Sequence, residues 1–252
     1  MMIPARNFSY QAGVDASNHP RYPEELFSYL AGLSTTTHRA YVYEIGNNQA
    51  ATYLASRFDE VISADMNQVK KPNAPSKSRL SYICSTSAKI PLVEKTVDLL
   101  TVSQAWHWIE AKELEQEAYR VLRPGGLLAV WGFNLPRIDE PISALVHHYY
   151  NHELKDYWPD ERKNHEQAYA DFPTRLALLP TPAFAVHQPL TASQLLNYIL
   201  SWSATLELIA AGKKAVYDKL YQDVLKRLGS ADKLLNISWP LTLKVARKKQ
   251  GC

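Results

Sequence analysis

Residues 40–67 read AYVYEIGNNQAATYLASRFDEVISADMN, and this stretch decides the fold class of the chain. Its first part, Tyr41–Ile45, is rich in aromatic and β-branched residues and predicts a short strand. Gly46 ends that strand, and Gln49–Phe58 then places apolar side chains at helical spacing. Val61–Ala64 predicts a second strand, which ends on Asp65. The stretch is therefore a strand, a sharp turn, a helix and a second strand, which is the unit from which parallel sheets are built.

The distance between the turn and the end of the second strand is typical of a site for an adenosine-like ligand. Gly46 and Asp65 are 65 − 46 = 19 positions apart. That spacing is close to the roughly 20 positions expected between a nucleotide-binding turn and the acid that holds the ribose hydroxyls. A tight turn lets the backbone approach a ligand, and the helix that follows is expected to offer free N–H groups. On this pattern alone, the alternative is an ordinary βαβ unit without a ligand.

The composition predicts one large globular domain. The chain has 252 residues, of which 46% are hydrophobic and 21% charged, and this length and balance suit an α/β protein with a sizeable core. The net charge of +3 comes from scattered Lys and Arg residues, so we expect no nucleic-acid partner. We also expect no membrane association, because the sequence lacks a signal-peptide pattern and an apolar run of roughly 18 residues. Only Cys84 and Cys252 are present, without metal-type spacing, which favours a cytoplasmic location.

Strand and helix patterns continue to alternate through the N-terminal half. Pro23 predicts the first turn of a helix that ends near Gly32. The further strands predicted here are Leu80–Cys84, Val97–Val102 and Leu127–Trp131, and a helix over Lys112–Leu122 precedes the last of them. The almost continuous apolar character of Val97–Val102 is typical of a parallel strand covered on both faces. Together these periods predict an α/β protein with a doubly wound, Rossmann-like sheet.

The pattern becomes mainly helical beyond Asn134. Residues 139–172 are expected to be helical, Phe184–Pro189 is expected to form a strand, and further helices are predicted within 193–228. Leu241–Arg247 alternates and predicts a last strand. The domain prediction is a single domain over 1–252, with a cofactor-binding core at 1–134, a helical elaboration or substrate cap at 135–235, and a final strand and tail at 236–252.

Several motifs resemble one known family. They are H-P-R-Y-P (19–23), V-Y-E-I-G (42–46), V-I-S-A-D (61–65), V-D-L-L-T-V-S-Q-A-W-H-W (97–108), A-Y-R-V-L-R-P-G-G-L-L-A-V-W (118–131) and W-P-L-T-L-K-V (239–245). Through them the chain resembles the class I S-adenosylmethionine-dependent methyltransferases. It is most similar to their small-molecule branch, which includes trans-aconitate methyltransferases and is of the methyltransferase type 11 kind. The resemblance implies a seven-stranded, mostly parallel sheet that ends in a reversed hairpin.

The resemblance also implies where the cofactor, S-adenosyl-L-methionine, would bind. Gly46 and its turn would hold the methionine part, which Glu44 would orient. Asp65 would bind the ribose, and Met66 would pack against adenine. The full set of implied cofactor-binding residues is Glu44, Gly46, Asn47, Asn48, Asp65, Met66, Ser87, Ala88, Ser103 and Gln104.

Residues for catalysis and for the methyl acceptor are predicted from their places at the carboxyl ends of strands, where open α/β sheets bind ligands. His107 follows the strand Val97–Val102 and is the candidate catalytic base, because an imidazole can take the proton of a hydroxyl near neutral pH. A structural histidine is the alternative, and a carboxylate acceptor would need no base. The predicted substrate-binding residues are Trp108, Trp131 and Asn134, which share such places, and Tyr22, which is predicted to form part of a lid over the cofactor with ordinary packing as the alternative.

We therefore expect transfer of a methyl group from S-adenosylmethionine to an oxygen, a carboxylate or a hydroxyl, of a small molecule. We expect the protein to be a monomer or a homodimer. His148 and His152 share a helix face but lack a third ligand of matching spacing, so no metal is expected.

Two departures from the family pattern motivate an alternative function. The turn is about two residues short, with Asn47 and Asn48 in place of glycines, and Ser87–Lys89 lacks the acid that usually faces adenine. The alternative is a degenerate, non-catalytic methyltransferase-like binding protein with weak or lost cofactor binding. A nicotinamide-dependent oxidoreductase is a third hypothesis, which the spacing from Gly46 to Asp65 alone motivates.

Overall fold

The structure is a computed structural model, which describes residues 19–44, 48–65, 79–85, 88–106, 109–158, 169, 172 and 175–250, with Asp65 described in its backbone only. The chain divides into two compact units. The sheet unit comprises Tyr22–Phe133, Lys163–Phe184 and Leu241–Cys252. The helical unit comprises Met1–Arg21, Asn134–Arg162 and Ala185–Pro240.

The described strands form one mixed sheet. They are β1 (Arg39–Glu44), β2 (Glu60–Asp65), β3 (Leu80–Cys84), β4 (Val97–Ser103), β5 (Leu122–Phe133), β6 (Ala177–Leu179), β7 (Phe184–Thr191) and β8 (Leu234–Arg247). Seven of them follow the order β3-β2-β1-β4-β5-β8-β6, and β7 pairs additionally with β8. The strands β1 to β5 pair in parallel, whereas β8 is antiparallel to β5 and β6. This order confirms the predicted doubly wound, mostly parallel sheet with a reversed final strand.

The described helices have the following bounds. They are α1 (Glu24–Leu33), α2 (Gln49–Leu54), α3 (Ala111–Val121), α4 (Glu140–His148), α5 (Ala192–Leu200), α6 (Ser203–Ala210) and α7 (Lys214–Leu228). A single π-helical turn, Tyr149–Glu153, continues α4. Within the described ranges, every helix lacks the combination of length and apolar character that a bilayer crossing requires.

The core of the sheet unit lies on both faces of the sheet, because side chains of a strand point alternately to opposite faces. On one face, Leu26 and Phe27 of α1 and Leu54 of α2 pack against residues such as Val42 and Ala129. On the other face, the apolar stripe of α3 packs over Tyr41, Leu100 and their neighbours; its buried residues are Leu114, Ala118 and Val121. Helices on both faces explain why β4 is buried along its whole length.

Several element bounds differ from the prediction, each for a local reason. The helix α2 ends at Leu54 and not at Phe58, because the N–H groups of Arg57 and Phe58 both turn back to the Leu54 carbonyl. The strand β5 begins at Leu122, five residues early, and includes the Arg123–Gly126 turn residues. A side chain at Gly126 would meet the Arg123 carbonyl oxygen at 2.9 Å, so only glycine fits this close approach.

The C-terminal strands show the limits of periodicity. The strand β8 begins at Leu234, well before the predicted Leu241, and continues the same alternation of buried and exposed residues. The three-residue β6 was not predicted, because three residues are too few to show a period. The prediction for Leu80–Cys84 matches β3 residue for residue.

The helical unit packs its helices around aromatic side chains. Tyr217 of α7 lies edge-on to Tyr149 at a centroid distance of 6.4 Å, and its hydroxyl donates to the Leu196 carbonyl of α5. A capping box at Thr191 begins α5, in which Thr191 and Gln194 each accept a backbone N–H of the other. Such reciprocal caps satisfy N–H groups that a helix leaves without partners.

Candidate active site

Three of the predicted site residues lie side by side at the carboxyl ends of three neighbouring strands. Glu44 on β1 pairs with Ser103 on β4, and Ser103 pairs with Trp131 on β5. Residues that are 103 − 44 = 59 and 131 − 103 = 28 positions apart in the chain therefore lie at one level of the sheet edge. This edge is where ligands bind in open α/β sheets.

Glu44 holds the start of the short helix α2. Glu44 is only 3% exposed. The two oxygens of its carboxylate lie 3.0 and 3.2 Å from the Ala50 nitrogen, whose N–H they accept, and one of them also accepts the N–H of Ala51 at 3.4 Å. These two amides are therefore not free for a ligand, which corrects the expectation that the helix N-terminus offers them. Glu44 therefore fixes the position of this helix relative to β1.

Asn48 supplies the backbone conformation that glycine would otherwise supply. It has φ 54° and ψ 32°, in the left-handed region, which asparagine tolerates better than most residues. Its side-chain oxygen accepts the hydroxyl of Ser63 on β2 at 3.2 Å. Asn48 is thus anchored to the neighbouring strand.

The remaining predicted cofactor residues are described unevenly. Asp65 is the last residue of β2, where its backbone pairs with Cys84. Ala88 is buried, and its carbonyl accepts the Tyr43 hydroxyl at 3.0 Å. Outside the described residues lie Gly46, Asn47, Met66, Ser87, His107 and Trp108.

Tyr22 is clamped at both of its ends. Its hydroxyl lies 2.8 Å from the Ser103 hydroxyl, and its backbone N–H donates to the Gln49 side chain at 3.2 Å. Its ring stacks on Phe133 at 5.0 Å and lies edge-on to Trp131 at 5.9 Å. Tyr22 therefore connects the start of α2 with the ends of β4 and β5.

The Tyr22 phenol stays protonated at neutral pH. Burial raises its pKa well above the usual range, and the nearby Glu44 carboxylate raises the pKa further. A hydroxyl in this state can donate or accept a hydrogen bond, but it is not a general base. The smaller contribution of Glu44 to this pKa places a negative charge near the Tyr22 hydroxyl.

The turn after β4 adopts an unusual backbone conformation. Gln104 has φ 56°, again in the left-handed region, and its N–H donates to the Trp131 carbonyl at 3.0 Å. Trp131 itself is fully buried, and its indole N–H has no acceptor at hydrogen-bond distance among the described residues. Strained residues of this kind concentrate at functional sites.

Asn134, the fourth predicted substrate-binding residue, belongs to the helical unit. Its side chain is exposed, and its backbone N–H donates to the Pro240 carbonyl at 2.8 Å. The structure therefore brings Tyr22, Ser103, Glu44 and Trp131 together, whereas an acceptor-binding role of Asn134 stays a prediction.

Sequence reasoning missed two residues of this site. Gln49 holds the Tyr22 backbone, and Ser63 holds Asn48. Ser63 left a signal in the sequence, because it is a polar residue inside the apolar strand V-I-S-A-D. Gln49 left none, since a glutamine in the first turn of a helix is common.

A cavity of about 390 Å³ lies at the opposite, amino edge of the same sheet, lined by Thr35, Thr36, His38, Lys95, Asp98, Arg123, Pro124, Gly125 and Gly126. The buried Asp98 at its floor accepts the Thr36 hydroxyl, the Arg39 N–H and the Arg123 guanidinium. Its carboxylate is thus engaged in holding the chain together, and we do not assign the chemistry to this cavity.

No metal centre is evident in the described ranges of the chain, where no three His, Cys, Asp or Glu side chains converge. His148 and His152 stack at a centroid distance of 4.8 Å, and His148 lies 3.6 Å from Glu153.

Comparison with known proteins decides the family. A protein of Dictyostelium discoideum that is named as a methyltransferase is 30% identical over 210 residues, which cover 81% of this chain and 80% of that protein. The chain belongs to the methyltransferase family. A family model described as a methyltransferase domain also matches residues 44–130 of this methyltransferase.

Solved structures agree with this assignment. A structure named for a type II methyltransferase of Anaeromyxobacter dehalogenans superposes with a TM-score of 0.82 at 26% identity, covering 92% of this chain and 99% of that one. A [4+2]-cyclase superposes with a TM-score of 0.50 at 17% identity, covering 97% of this chain and 91% of that one. The second likeness shows the fold alone, and it shows that this fold also occurs in a protein named for another reaction.

This methyltransferase is an enzyme whose cofactor is S-adenosylmethionine. The non-catalytic and nicotinamide-dependent alternatives are therefore set aside. The carboxyl edge fits the cofactor in one respect: the buried Glu44 carboxylate carries negative charge that would suit the positive sulfonium and ammonium groups. Among the described residues, Glu44, Asn48, Ser103 and Gln104 are those that the sequence predicts would hold it, and their roles stay a prediction.

Proposed function

We propose that the enzyme transfers the methyl group to a carboxylate oxygen of a small molecule. The observation that carries this proposal is the Tyr22–Ser103 hydroxyl pair, whose phenol is kept neutral by burial. Glu44, the carboxylate whose charge reaches Tyr22, is engaged with two amides. Neither group is suited to take a proton, and a carboxylate oxygen reacts without losing one.

The described residues have distinct roles in this proposal. S-adenosylmethionine supplies an activated methyl group on a positively charged sulfur. Glu44 fixes the helix that borders the methionine part and contributes negative charge. Tyr22 and Phe133 form a stacked apolar wall that excludes water, while the Tyr22 and Ser103 hydroxyls orient polar groups beside it. Positioning and desolvation of this kind supply most of the rate of an in-line transfer.

A hydroxyl acceptor is the second candidate. It depends on His107, the predicted base, which lies outside the described residues. A base near a hydroxyl acceptor would make kcat rise with pH through the histidine range. Carboxylate transfer is expected to lack that rise.

We further propose that residues 135–235 contribute the recognition of the acceptor, which would be a small molecule as in the trans-aconitate branch. The support is a group of neighbouring aromatic rings within the helical unit. Tyr150 lies 4.7 Å from Trp158 and 5.6 Å from Trp202, and both tryptophans are partly exposed. Aromatic rings with polar edges are common walls of small-molecule pockets.

The domain division, the cytoplasmic location and the state as monomer or homodimer stay predictions.

The test is transfer of a radioactive methyl group to panels of small carboxylic acids, alcohols and amines. We expect label in the carboxylic acids, in a form that mild alkali releases as methanol, because methyl esters hydrolyse whereas ethers and methylamines do not. His107→Ala should leave kcat for the best acid within about twofold, since no base is required. Alkali-stable label in the alcohols, or a large loss in His107→Ala with an ascending pH profile, would favour the hydroxyl acceptor, and alkali-stable label in the amines would contradict both.

A further inference from the structure

The cavity at the amino edge of the sheet is lined by more cationic than anionic side chains. Its volume of about 390 Å³ lies within the range of small-molecule pockets. Among its lining residues, Lys95 and Arg123 carry positive charge, His38 can be protonated, and Asp98 is the acid. The cavity lies at the opposite edge from the proposed methyl transfer, so an occupant would bind apart from that reaction.

The Asp98 carboxylate is already satisfied within the protein. One of its oxygens accepts the Thr36 hydroxyl and an Arg123 nitrogen, the latter at 3.0 Å, and the other oxygen accepts the Arg39 N–H at 2.7 Å. Both oxygens of this buried group are therefore occupied, and its charge is paired with that of Arg123. The same contact fixes the guanidinium in place.

The two cationic side chains keep hydrogen-bond donors that the described part of the chain does not use. Arg123 engages Asp98 through Nη1 alone, which leaves Nε and Nη2 without a partner among the described residues. The exposed Lys95 ammonium likewise forms no ion pair within these ranges. One unopposed positive charge and a set of free N–H groups suit an oxyanion, because guanidinium and ammonium groups bind phosphate and carboxylate oxygens by charge-assisted hydrogen bonds.

The charge of Lys95 is not cancelled by its acidic neighbour. Burial is the main cause that lowers the pKa of the nearby Lys248, and the positive charge of Lys95 lowers that pKa further. Glu94 acts in the opposite direction with a smaller contribution. The surroundings of Lys95 are therefore positive on balance at this end of the sheet.

The backbone around the cavity is held in a fixed shape. Gly125 has φ 83°, and a side chain there would meet the Thr35 hydroxyl at 3.2 Å. The Arg247 guanidinium donates to the Gly125 carbonyl at 3.1 Å and to the Leu33 carbonyl at 2.9 Å. Lys95 itself adopts the left-handed conformation with φ 56°, which is uncommon for a lysine. A site that is ordered before binding loses less affinity to the ordering of its groups.

We propose that the amino-edge cavity binds a small dianionic molecule, a phosphate ester or a dicarboxylate, through Lys95 and Arg123. The planar guanidinium presents two N–H groups to two oxygens of one anionic group, and the ammonium adds a second positive charge. The inference does not depend on the cofactor or on the methyl acceptor, and its failure would leave the proposed methyl transfer unaffected.

The experiment is calorimetric titration of inorganic phosphate and, separately, of succinate into the full chain at low salt. We expect saturable binding of at least one anion, and the tighter of the two identifies the anionic group of the ligand. Added sodium chloride should weaken the binding, because the charges are partly exposed.

Two variants test the assigned residues. Lys95→Gly removes the ammonium and keeps the left-handed backbone without strain, and we expect at least about fivefold weaker binding of the anion. Arg123→Lys keeps a positive charge beside Asp98 but lacks the fork, and a loss of about three- to tenfold is expected. Urea denaturation shows whether each variant is folded.

Lys112 provides the matched control. It is an exposed lysine in the first turn of α3, outside the cavity lining. Lys112→Ala changes the net charge of the protein by the same amount as Lys95→Gly, and we expect it to leave the affinity for the anion unaltered.

Nuclear magnetic resonance locates the bound anion. During the titration, the amide signals of Lys95, Gly125 and Gly126 should shift, whereas those of Glu44 and Ser103 at the carboxyl edge should stay in place. If the Arg123→Lys variant does not fold, these shifts and Lys95→Gly decide the question.

Three results would overturn the proposal. One is the absence of saturable binding of either anion up to about 10 mM, which corresponds to an affinity too weak for a specific site. Another is equal affinity of the parent protein and Lys95→Gly. The third is a set of shifts confined to the carboxyl edge, which would place the anion elsewhere.

Discussion

The two edges of the sheet bury polar groups in different ways. At the amino edge, Asp98 is 3% exposed and accepts hydrogen bonds from Thr36, Arg39 and Arg123. At the carboxyl edge, the Tyr22 and Ser103 hydroxyls share one neutral hydrogen bond beside an indole N–H that has no acceptor among the described residues. At the amino edge, the charged groups are used to hold neighbouring chain segments together. The carboxyl edge instead buries neutral hydroxyls close to the strand ends where we propose that the ligand binds.

The largest expected effect concerns the amino edge. Asp98→Ala removes the acceptor of the Arg39 N–H and of the half-buried Arg123, and we expect the free energy of unfolding to fall by about 3 kcal/mol or more. Asp98→Asn, which keeps the shape and one acceptor oxygen, should lose less. Urea denaturation of the parent protein, Asp98→Ala and Asp98→Asn measures the two losses in unfolding free energy. A loss below about 1 kcal/mol for Asp98→Ala would show that this edge is not the structural one.

The carboxyl edge is expected to respond in activity more than in stability. Tyr22→Phe keeps the ring stack on Phe133 and removes only the hydroxyl that pairs with Ser103. We expect kcat/KM to fall roughly tenfold, which corresponds to about 1.4 kcal/mol. Ser103→Ala should add little in the Tyr22→Phe background, because the two hydroxyls act as a pair. Unchanged kcat/KM together with a lower melting temperature would show that the Tyr22 and Ser103 hydroxyls contribute to stability and not to activity.

A smaller effect, which depends on pH, concerns an ion pair of α3 that belongs to neither edge. Glu117 on α3 accepts two Arg120 nitrogens and the Ile90 N–H, and the Arg120 hydrogen bonds are the main cause that lowers its pKa below the usual 4.5. A carboxyl with a lowered folded-state pKa contributes stability that is complete above the unfolded value and is lost as the pH falls through the folded value.

The corresponding variant is Glu117→Gln. We expect its unfolding free energy to be below that of the parent protein by up to about 1 kcal/mol at pH 7, since the pair is partly exposed, and this difference should shrink as the pH falls through the lowered pKa of Glu117. Thermal melts of both proteins at pH 7 and pH 3.5 give the comparison. A difference in unfolding free energy that stays constant with pH would contradict an ionic origin of the stabilisation by Glu117.

The sheet could be predicted because its signals are local. The unbroken apolar run at Val97–Val102 and the alternation at Leu241–Arg247 each specify a strand within a few residues. Such patterns also place Glu44, Ser103 and Trp131 at strand ends, which is why the predicted site residues come together.

The contacts within the site could not be predicted in the same way. The Tyr22–Ser103 bond joins residues 81 positions apart, and no local pattern indicates which hydroxyl a tyrosine will meet. The Glu44 bonds to Ala50 and Ala51 depend on the shape of the intervening turn, which apolar periodicity does not encode. The short strand β6 depends on β8 for its existence and leaves no period of its own.

The central claim is that the cofactor binds at the carboxyl edge, and the strand β2 offers a matched pair of residues to test it. Asp65 ends β2 at the carboxyl edge, whereas the exposed Asp59 precedes β2 at the amino edge and bonds His38. The measurement is calorimetric titration of S-adenosylhomocysteine into the parent protein, Asp65→Ala and Asp59→Ala. We predict at least a tenfold weaker affinity for Asp65→Ala, from the loss of charge-assisted bonds to the ribose, and no change for Asp59→Ala. Equal affinities for all three proteins would contradict the placement of the cofactor.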